Sequence, residues 1–596
     1  MANKQVLTYS IRLPDDAQAD ALRLLDVSRA VVNQTLTLLW PRLDEFAERP
    51  SPQAWKHVTD LIDSPDPHGN RQWRCEAETA GRILRAQAER QRLFLLIQPL
   101  LSANLIQPAS GKIPARKDRK ALMTQMRTLA QTSDATAMEM LNVAEQCCNL
   151  FLRTGRFPAT YEELQPIPVL KTGQLTYAGD DGMKAGQTYR ITIDLATKTA
   201  AYRMRGPDAT GTWHWPDADI ALPLPDPLVD LLRSGTPMAP TLREVADPGQ
   251  DRYAVLDLIV EVPTTPEPTW EQVDRVLGWD WGVRSLVTTA VVTTQGEQTG
   301  RPFFLNTGGF DGTQARLRQQ IDQIKKRRAA AEARLAAQPE HAHQSRWATK
   351  RDGYAVEIAR CWRKYERRHR DLAHLAAHVL VFLAQLHGCT LICGESLSSL
   401  RTTGRGRDAK GRWLRWRNNS TIRSEIGRLL QDKAHRWGIR CRFEQPRNTS
   451  HMCPRCHRYA HTYRSSDRTT QTLADAVDWG KWLICDNPTC ACNGARDYAA
   501  ALNIARLGVA FLRHYQATKQ YGAFSMASPS VQPCRYTPQG ASLRLPTPGV
   551  SPVPSGKRNL AYQGWTQCVH LRTAQPGSVL IVLASATVRK QVLSTA

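Results

Sequence analysis

The sequence predicts a multidomain α/β protein, and three observations predict it. The chain has 596 residues, which at roughly 100–200 residues per domain makes about three to five cores. Its texture changes twice, from helical periodicity to strand alternation near residue 166, and to a mixed strand–helix order after the Pro-rich "PTTPEP" at 263–268. Fourteen cysteines include a spaced group between 453 and 492, which in a reducing compartment suits a metal-stitched insert better than disulfides.

Each element follows in order. "VLTYSIRLPDD" (6–16) alternates as a strand does. The stretch to about 165 is mostly helical. "AETAGRILRAQAERQRLFLLIQPLL" and "DATAMEMLNVAEQCCNLFLR" carry apolar residues at i, i+3 and i+4. "QTYRITIDLATKTAAYRMRG" reads as a hairpin and "DRYAVLDLIVEV" (251–262) as another strand, before the stiff linker. "RVLGWDWGVRSLVTTAVV" (275–292) is then strand, Gly-bounded turn and strand. Two long basic helices follow and predict an antiparallel hairpin. "CTLICGE" (389–395) is a short strand ending at Glu395, and "IRSEIGRLLQDKAHRWG" and "IRCRFEQP" are a helix and a strand. After the cysteines comes the helix "RDYAAALNIARLGVAFL", and the Pro/Ser/Gly-rich tail of 528–556 predicts irregular chain.

Charge narrows the partners. The net charge is +24, and a chain this basic meets nucleic acid or an anionic membrane surface. The most apolar run, "SVLIVLA" (578–584), is far short of the roughly 18 residues that span a bilayer. The N-terminus lacks the apolar core of a signal peptide. A cytoplasmic or nucleoid protein with no membrane partner is the expectation.

The cysteines predict zinc. Cys453 and Cys456 form a C-x2-C knuckle, and Cys485 and Cys490 a C-x4-C pair that begins 29 residues later. Two close thiolate pairs supply a tetrahedral ion, and a site of this kind is structural, its binding coupled to local folding. Cys492 competes for the fourth place, and His457 or His461 are substitutes.

The acids are informative as a set. Asp280 and Glu395 each end an apolar strand, and Asp497 opens an Ala-rich helix. Three carboxylates gathered from strand ends and a helix start can hold Mg²⁺ through hard oxygen ligands. Two such ions serve phosphodiester hydrolysis in an RNase H-type fold.

At these residues the chain resembles a known family. "VLGWDWGVRSLVTTA", "LICGESLSSL", "IGRLLQDKAHRWGIRCRFEQPRNTSHMCPRCH" and "CDNPTC…ARDYAAALNIA" look like the three RuvC motifs and inserted zinc ribbon of transposon-associated TnpB nucleases and type V CRISPR effectors. Asp497, Asn503, Ile504 and Cys490 fit the third motif, and the alignment favours Cys490 over Cys492. The opening "YSIRLPDDAQADALRLLDVSRAVVNQTL" resembles that family's start. The resemblance implies a helical recognition lobe plus a β-rich wedge domain, and an RNase H-like RuvC domain with an inserted zinc ribbon. The implied divisions are a wedge strand at 1–16, the recognition lobe at 17–165 and the wedge at 166–270. RuvC motifs I and II follow at 271–449, a zinc-ribbon target nucleic-acid-binding insert at 450–494, motif III at 495–516 and a C-terminal extension at 517–596. Two departures thin the acids' support. Ala495-Arg496-Asp497 stands where many relatives have Asp-Arg-Asp, and Ser396 follows Glu395 where they often have Asp or Asn.

The remaining signal is a nucleic-acid surface. "RTTGRGRDAKGRWLRWRNN" (401–419) interleaves Arg405, Arg407, Arg412, Arg415 and Arg417 with Trp413 and Trp416, cations for phosphate and aromatic faces for unpaired bases. Lys325, Lys326, Arg327 and Arg328 lie on the first basic helix. With the resemblance, these imply contact with a guide–target heteroduplex. The implied partners are a CRISPR guide RNA, one chain per guide, and double-stranded target DNA read next to a short flanking motif. The compact length resembles subtype V-M, which implies silencing without efficient double-strand cutting and a RuvC site used on guide precursor. A target-cleaving nuclease and a binder with no nuclease activity stay open beside that reading.

Overall fold

The computed structural model describes residues 4–47, 53–65, 69–105, 116–131, 137–177, 187–282, 285–306, 308–337, 344–396, 422–445, 447–465, 472–477, 480–521 and 541–544. Two compact units divide the chain. One comprises residues 6–262, and the other takes 263–596 with the first five residues. The division falls at the Pro-rich stretch.

The unit of 6–262 holds two apolar clusters. Helices Asp15–Leu39, Asn70–Leu105 and Ala137–Thr154 bury Leu36, Leu84, Phe94 and Met140 together. Strands Lys4–Arg12, Tyr253–Pro263, Thr236–Val245 and Gln174–Thr176 make a four-stranded sheet in that order. Leu242, Leu256, Tyr189 and Tyr202 share the second cluster. Helix Asp15–Leu39 serves both, because its buried stripe runs along 25 residues with the polar Ser28, bonded to Glu76, between the two clusters. Ala21, Leu24 and Leu25 enter the second cluster, while Val32 and Leu36 enter the first.

The other unit is built on one sheet. Its elements are β1 (Arg275–Asp280), β2 (Ser285–Thr293), β3 (Gln298–Asn306), α1 (Gly308–Ala337), α2 (Gln344–Leu386), β4 (Leu391–Glu395), α3 (Ile422–Arg436) and β5 (Arg440–Glu444). The cysteine-bearing strands β6 (Ala460–Tyr463), β7 (Trp482–Cys485) and β8 (Asn493–Ala495) come next, then α4 (Arg496–Thr518). The sheet order is β5-β4-β1-β2-β3. β1, β2 and β3 are antiparallel neighbours, whereas β4 runs parallel to β1 and β5 parallel to β4.

β1 is buried from Val276 to Asp280 because helices cover both sheet faces. On one face Leu277, Trp279 and Ile392 meet Ala373, Ala376 and Leu380 of α2 and Leu430 of α3. On the other, Val276, Leu391 and Cys393 meet Ala501, Leu502 and Ala505 of α4. The alanines of α4 have a geometric cause. A Cβ on Gly278 would overlap the Ala501 carbonyl oxygen and the Ala505 nitrogen, and one on Gly508 would overlap the Cys393 sulfur. Small residues on both partners let the helix lie directly on the sheet, which fixes where its first turn ends up.

α1 and α2 form the expected antiparallel hairpin, with Leu317, Ile321 and Ile324 against Cys361 and Tyr365. The expectation of an irregular tail needs one correction. Ala541–Arg544 is a strand paired parallel to β3. The free backbone edge of β3 supplies a hydrogen-bonding partner that composition does not reveal.

Candidate metal centres and nucleic-acid surface

The four predicted cysteines come together. Cys453 and Cys456 lie in the turn before β6, Cys485 ends β7, and Cys490 sits in the loop before β8. Their sulfurs all lie within 4.8 Å of one another. Cys453 and Cys490 are 3.7 Å apart, and Cys456 and Cys485 3.4 Å. A tetrahedron of 2.3 Å Zn–S bonds has edges of roughly 3.8 Å, so the donor set fits zinc in number, chemistry and size.

Local backbone explains the gathering. The Arg455 N–H donates to the Cys453 sulfur at 3.3 Å. His457 and Ala491 take left-handed φ of 61° and 47°, tightening the turns after Cys456 and Cys490. Cys492 is buried beside the cluster, and hydrogen bonding from it, more than any other cause, pulls the Cys453 thiol down to about 4. It nonetheless falls outside the compact four. The two histidine substitutes are engaged elsewhere. The His457 ring lies against Arg506, and His461 pairs with Asp486 at 2.9 Å.

The three acids gather at one end of the sheet. Asp280 ends β1 and Glu395 ends β4, its parallel neighbour, so both carboxyls leave the same sheet edge. Asp497 stands in the first turn of α4, where a helix N-terminus favours negative charge. It lies over the turn after β1, since a Cβ on Gly282 would sit 2.9 Å from Asp497 Oδ2.

The acids act on one another. Asp280 is 7% exposed. Burial raises its carboxyl well above the ordinary range, and the charges of Glu395 and Asp497 raise it further. Burial brings Glu395 to about 7, opposed by a hydrogen bond from the Thr449 hydroxyl. Arg496 supplies a local cation. Its Nε and Nη2 donate to Asp497 Oδ1 at 3.0 and 2.7 Å, and its charge opposes the rise at Asp280. Among the described residues only the thiolates make a compact group of close donors. The acids couple electrostatically without closing to that distance, and ions about 4 Å apart spread their ligands in such a way. Three hard oxygen donors, mostly buried and mutually repelling, are chemically suited to divalent magnesium.

Sequence reasoning missed several neighbours of this site. Arg496 was visible only as part of a motif. Glu444 pairs in register with Glu395, but it is buried and bound to Arg442. Asn503 was likewise visible only as a motif position; it and Arg506 hold the entry to the cysteine turn, and Thr449 reaches Glu395, by side-chain hydrogen bonds that leave no periodic signal.

On the basic hairpin Lys325, Lys326 and Arg327 are exposed, while Arg328 is partly taken by Glu332 at 3.0 Å. Arg318 and Lys325 flank the Trp362 ring, and Arg334 and Lys350 the Trp347 ring. Arg405, Arg407, Arg412, Trp413, Arg415, Trp416 and Arg417 lie outside the described residues.

Comparison with known proteins adds one family. Residues 424–504 match the model of the TNB domain of Cas12f1-like proteins. The match spans β5, the thiolate cluster and the start of α4, and agrees with the resemblance to compact type V effectors read from the sequence. No curated protein matches the chain. Among solved structures, the chain is similar to the Cas12f1 chain of a Cas12f1-sgRNA-target DNA complex, at 13% identity and TM-score 0.39, over 84% of this chain and 99% of that one. It is also similar to C2c1 of Alicyclobacillus acidoterrestris in complex with single-guide RNA, at 10% identity and TM-score 0.43, over 84% and 88%. The mini-RNA-guided endonuclease CRISPR-Cas_phi3 aligns at 10% identity and TM-score 0.40, over 85% and 92%.

Proposed function

We propose that this chain is an RNA-guided effector of the compact type V class. It binds a CRISPR guide RNA, one chain per guide, and opens a matching DNA duplex next to a short flanking motif. It silences that target in the bacterial cytoplasm, while its RuvC-type acid site acts on guide precursor. One observation carries the reading. Two strand-end acids and one helix-start acid share a sheet edge, and a four-thiolate insert covered by the TNB family model separates the second acid from the third.

The chain's own residues divide the work. Cys453, Cys456, Cys485 and Cys490 would hold a structural zinc that shapes the insert. Asp280, Glu395 and Asp497 would hold magnesium, which supplies an activated water and stabilises the leaving oxygen of a phosphodiester. Arg496 orients Asp497 and balances charge within the buried site. The exposed cations of α1 follow phosphates, a role proposed also for the basic-aromatic run 401–419. Among the described residues no helix is long and apolar enough to cross a membrane.

A second reading is a target-cleaving nuclease, favoured by the completeness of the acid triad. Plasmid nicking and guide-precursor processing by the wild type and Asp497→Ala, with Mg²⁺ and guide, test both. The silencing reading expects precursor processing that Asp497→Ala abolishes, little plasmid cutting, and guide-dependent DNA binding retained in both proteins. Efficient plasmid cutting lost in Asp497→Ala would establish the second reading instead. Full hydrolysis in Asp497→Ala would overturn the acid site itself.

A further inference from the structure

The three acids are held by different means. Asp280 belongs to a central strand, and Asp497 is gripped by Arg496. Glu395 is the last residue of its strand, and its Oε1 accepts a hydrogen bond from the Thr449 hydroxyl, 54 residues further on. That bond takes a lone pair of one oxygen and fixes the plane of the carboxyl group.

Thr449 itself lies in the turn that leaves β5 for the first cysteine knuckle. Helix α4 holds this turn. Asn503 is fully buried, and its Nδ2 donates to the carbonyl oxygens of Thr449 and Met452, both at 2.8 Å. Its Oδ1 accepts from Arg506 Nη1 at 3.0 Å. Arg506, 2% exposed, also donates to the Pro454 carbonyl at 3.3 Å, within the knuckle. Asn503 and Arg506 are three apart and so share a helix face. An amide is the one side chain of this size with two donors for two carbonyls and an acceptor for the guanidinium. Aspartate would set lone pairs against both carbonyls, and leucine would leave both buried and unpaired.

We propose that Thr449 is a positioning residue for Glu395, and that Asn503 fixes Thr449 by tying the entry of the cysteine knuckle to the helix that carries Asp497. This rests on the reading of Glu395 and Asp497 as metal ligands. Two of the three acids are then placed by α4, one directly and one through Asn503 and Thr449. Hydrogen-bond partners of a metal-ligating carboxylate set its orientation and hence its affinity.

The test is Mn²⁺ binding to the full chain, followed by electron paramagnetic resonance, with zinc content measured in parallel. Thr449→Val keeps the shape and removes the hydroxyl. It should weaken Mn²⁺ binding about 10-fold with zinc retained, and Thr449→Ser should restore it to within about 2-fold. Equal weakening in Thr449→Ser and Thr449→Val would overturn the proposal, because packing and not the hydroxyl would then matter. So would wild-type binding in Thr449→Val while Glu395→Gln binds weakly, an outcome that leaves the acid site standing. If Glu395→Gln binds like the wild type, or the wild type binds no Mn²⁺, the reading of the acids falls first and the proposal falls with it. Should Thr449→Val lose zinc or precipitate, the comparison moves to Thr449→Ala against Thr449→Ser, read by the same two outcomes.

Discussion

The thiolate cluster and the acid cluster lie in the same unit of the chain and are built in opposite ways. The four cysteines come from one insert of fewer than fifty residues, and their sulfurs close to within 4.8 Å through local turns. The three acids come from β1, β4 and α4, spread over more than two hundred residues. They stay apart, repel one another, and rely on Arg496 and Thr449 for their places. The first cluster is therefore decided by loop geometry. The second is decided by how closely α4 packs on the sheet. The contrast predicts that a fault in one cluster leaves a different signature from a fault in the other.

The largest expected effect is on zinc. Cys453→Ser should lose the one bound zinc per chain and make residues 450–494 sensitive to protease, because the insert has few apolar residues of its own. Cys492→Ser should keep it. Metal analysis decides, and zinc retained in Cys453→Ser but lost in Cys492→Ser would redraw the ligand set.

Next comes the helix–sheet contact. Gly278→Ala puts a methyl into the Ala501 carbonyl and should cost about 1–3 kcal/mol of stability. It should also disturb the acids while leaving zinc in place. A variant that kept hydrolysis and Tm but lost zinc would reverse the comparison.

Acid sensitivity belongs to the sheet's other covering helix. Burial lowers His369 of α2 to about 4. The His378 ring is lowered too, but it stands exposed on the helix surface, where solvent screening leaves it little weight in stability. The ordinary value of His369 is 6.5, so at this residue the unfolded chain takes up a proton first as pH falls. The share of His369 should thus be full above about 6.5 and decline down to about 4, by up to about 3 kcal/mol, while the raised carboxyls of Asp280 and Glu395 gain stability as pH falls through the same range. Thermal melts of the wild type and His369→Leu across that window check it, the difference between their slopes being the histidine's share. An unchanged slope would place the titration elsewhere.

The smallest effect is on the exposed hairpin. Replacing Lys325, Lys326 and Arg327 with Ala should weaken guide-dependent DNA binding only a few-fold, equally for every matched target, and lower its salt dependence. A loss confined to one target sequence would show base reading instead.

The clusters also differed in how far the sequence revealed them. Paired thiolates at two and four residues' spacing point to a metal without a structure, and the motif resemblance favoured Cys490 over Cys492, which the folded chain leaves outside the compact four. Asp280, Glu395 and Asp497 stood out only as an ordered set of two strand-end acids and one helix-start acid that fits the family's motifs, and the fold brings all three to one end of the sheet. Of their supports Arg496 and Asn503 showed only as motif positions and Thr449 not at all, since a hydroxyl and an amide acting across some fifty residues follow no period. In the sheet unit β1, β2, β4, β5 and the four helices read from their apolar spacing, whereas β3, the short strands β6–β8 and the strand Ala541–Arg544 did not. Helix Asp15–Leu39 did not disclose that its two halves enter separate clusters, because periodicity shows which face is buried and not against what.

The insertion of the cysteine segment between β5 and α4 bears on how the chain is made. As it leaves the ribosome, the sheet is complete through β5 while the face carrying Val276, Leu391 and Cys393 still lacks its cover. Roughly fifty residues separate Glu444 from Arg496, which at about 5–20 residues per second is a delay of roughly 3–10 s. For that interval a greasy surface faces solvent, and it closes only once α4 emerges and the turn held by Asn503 has formed. Biosynthesis, more than the finished protein, is then the stage at which scarce zinc does harm. Cells starved of the metal should accumulate this chain as chaperone-bound or aggregated nascent product, while protein already made persists.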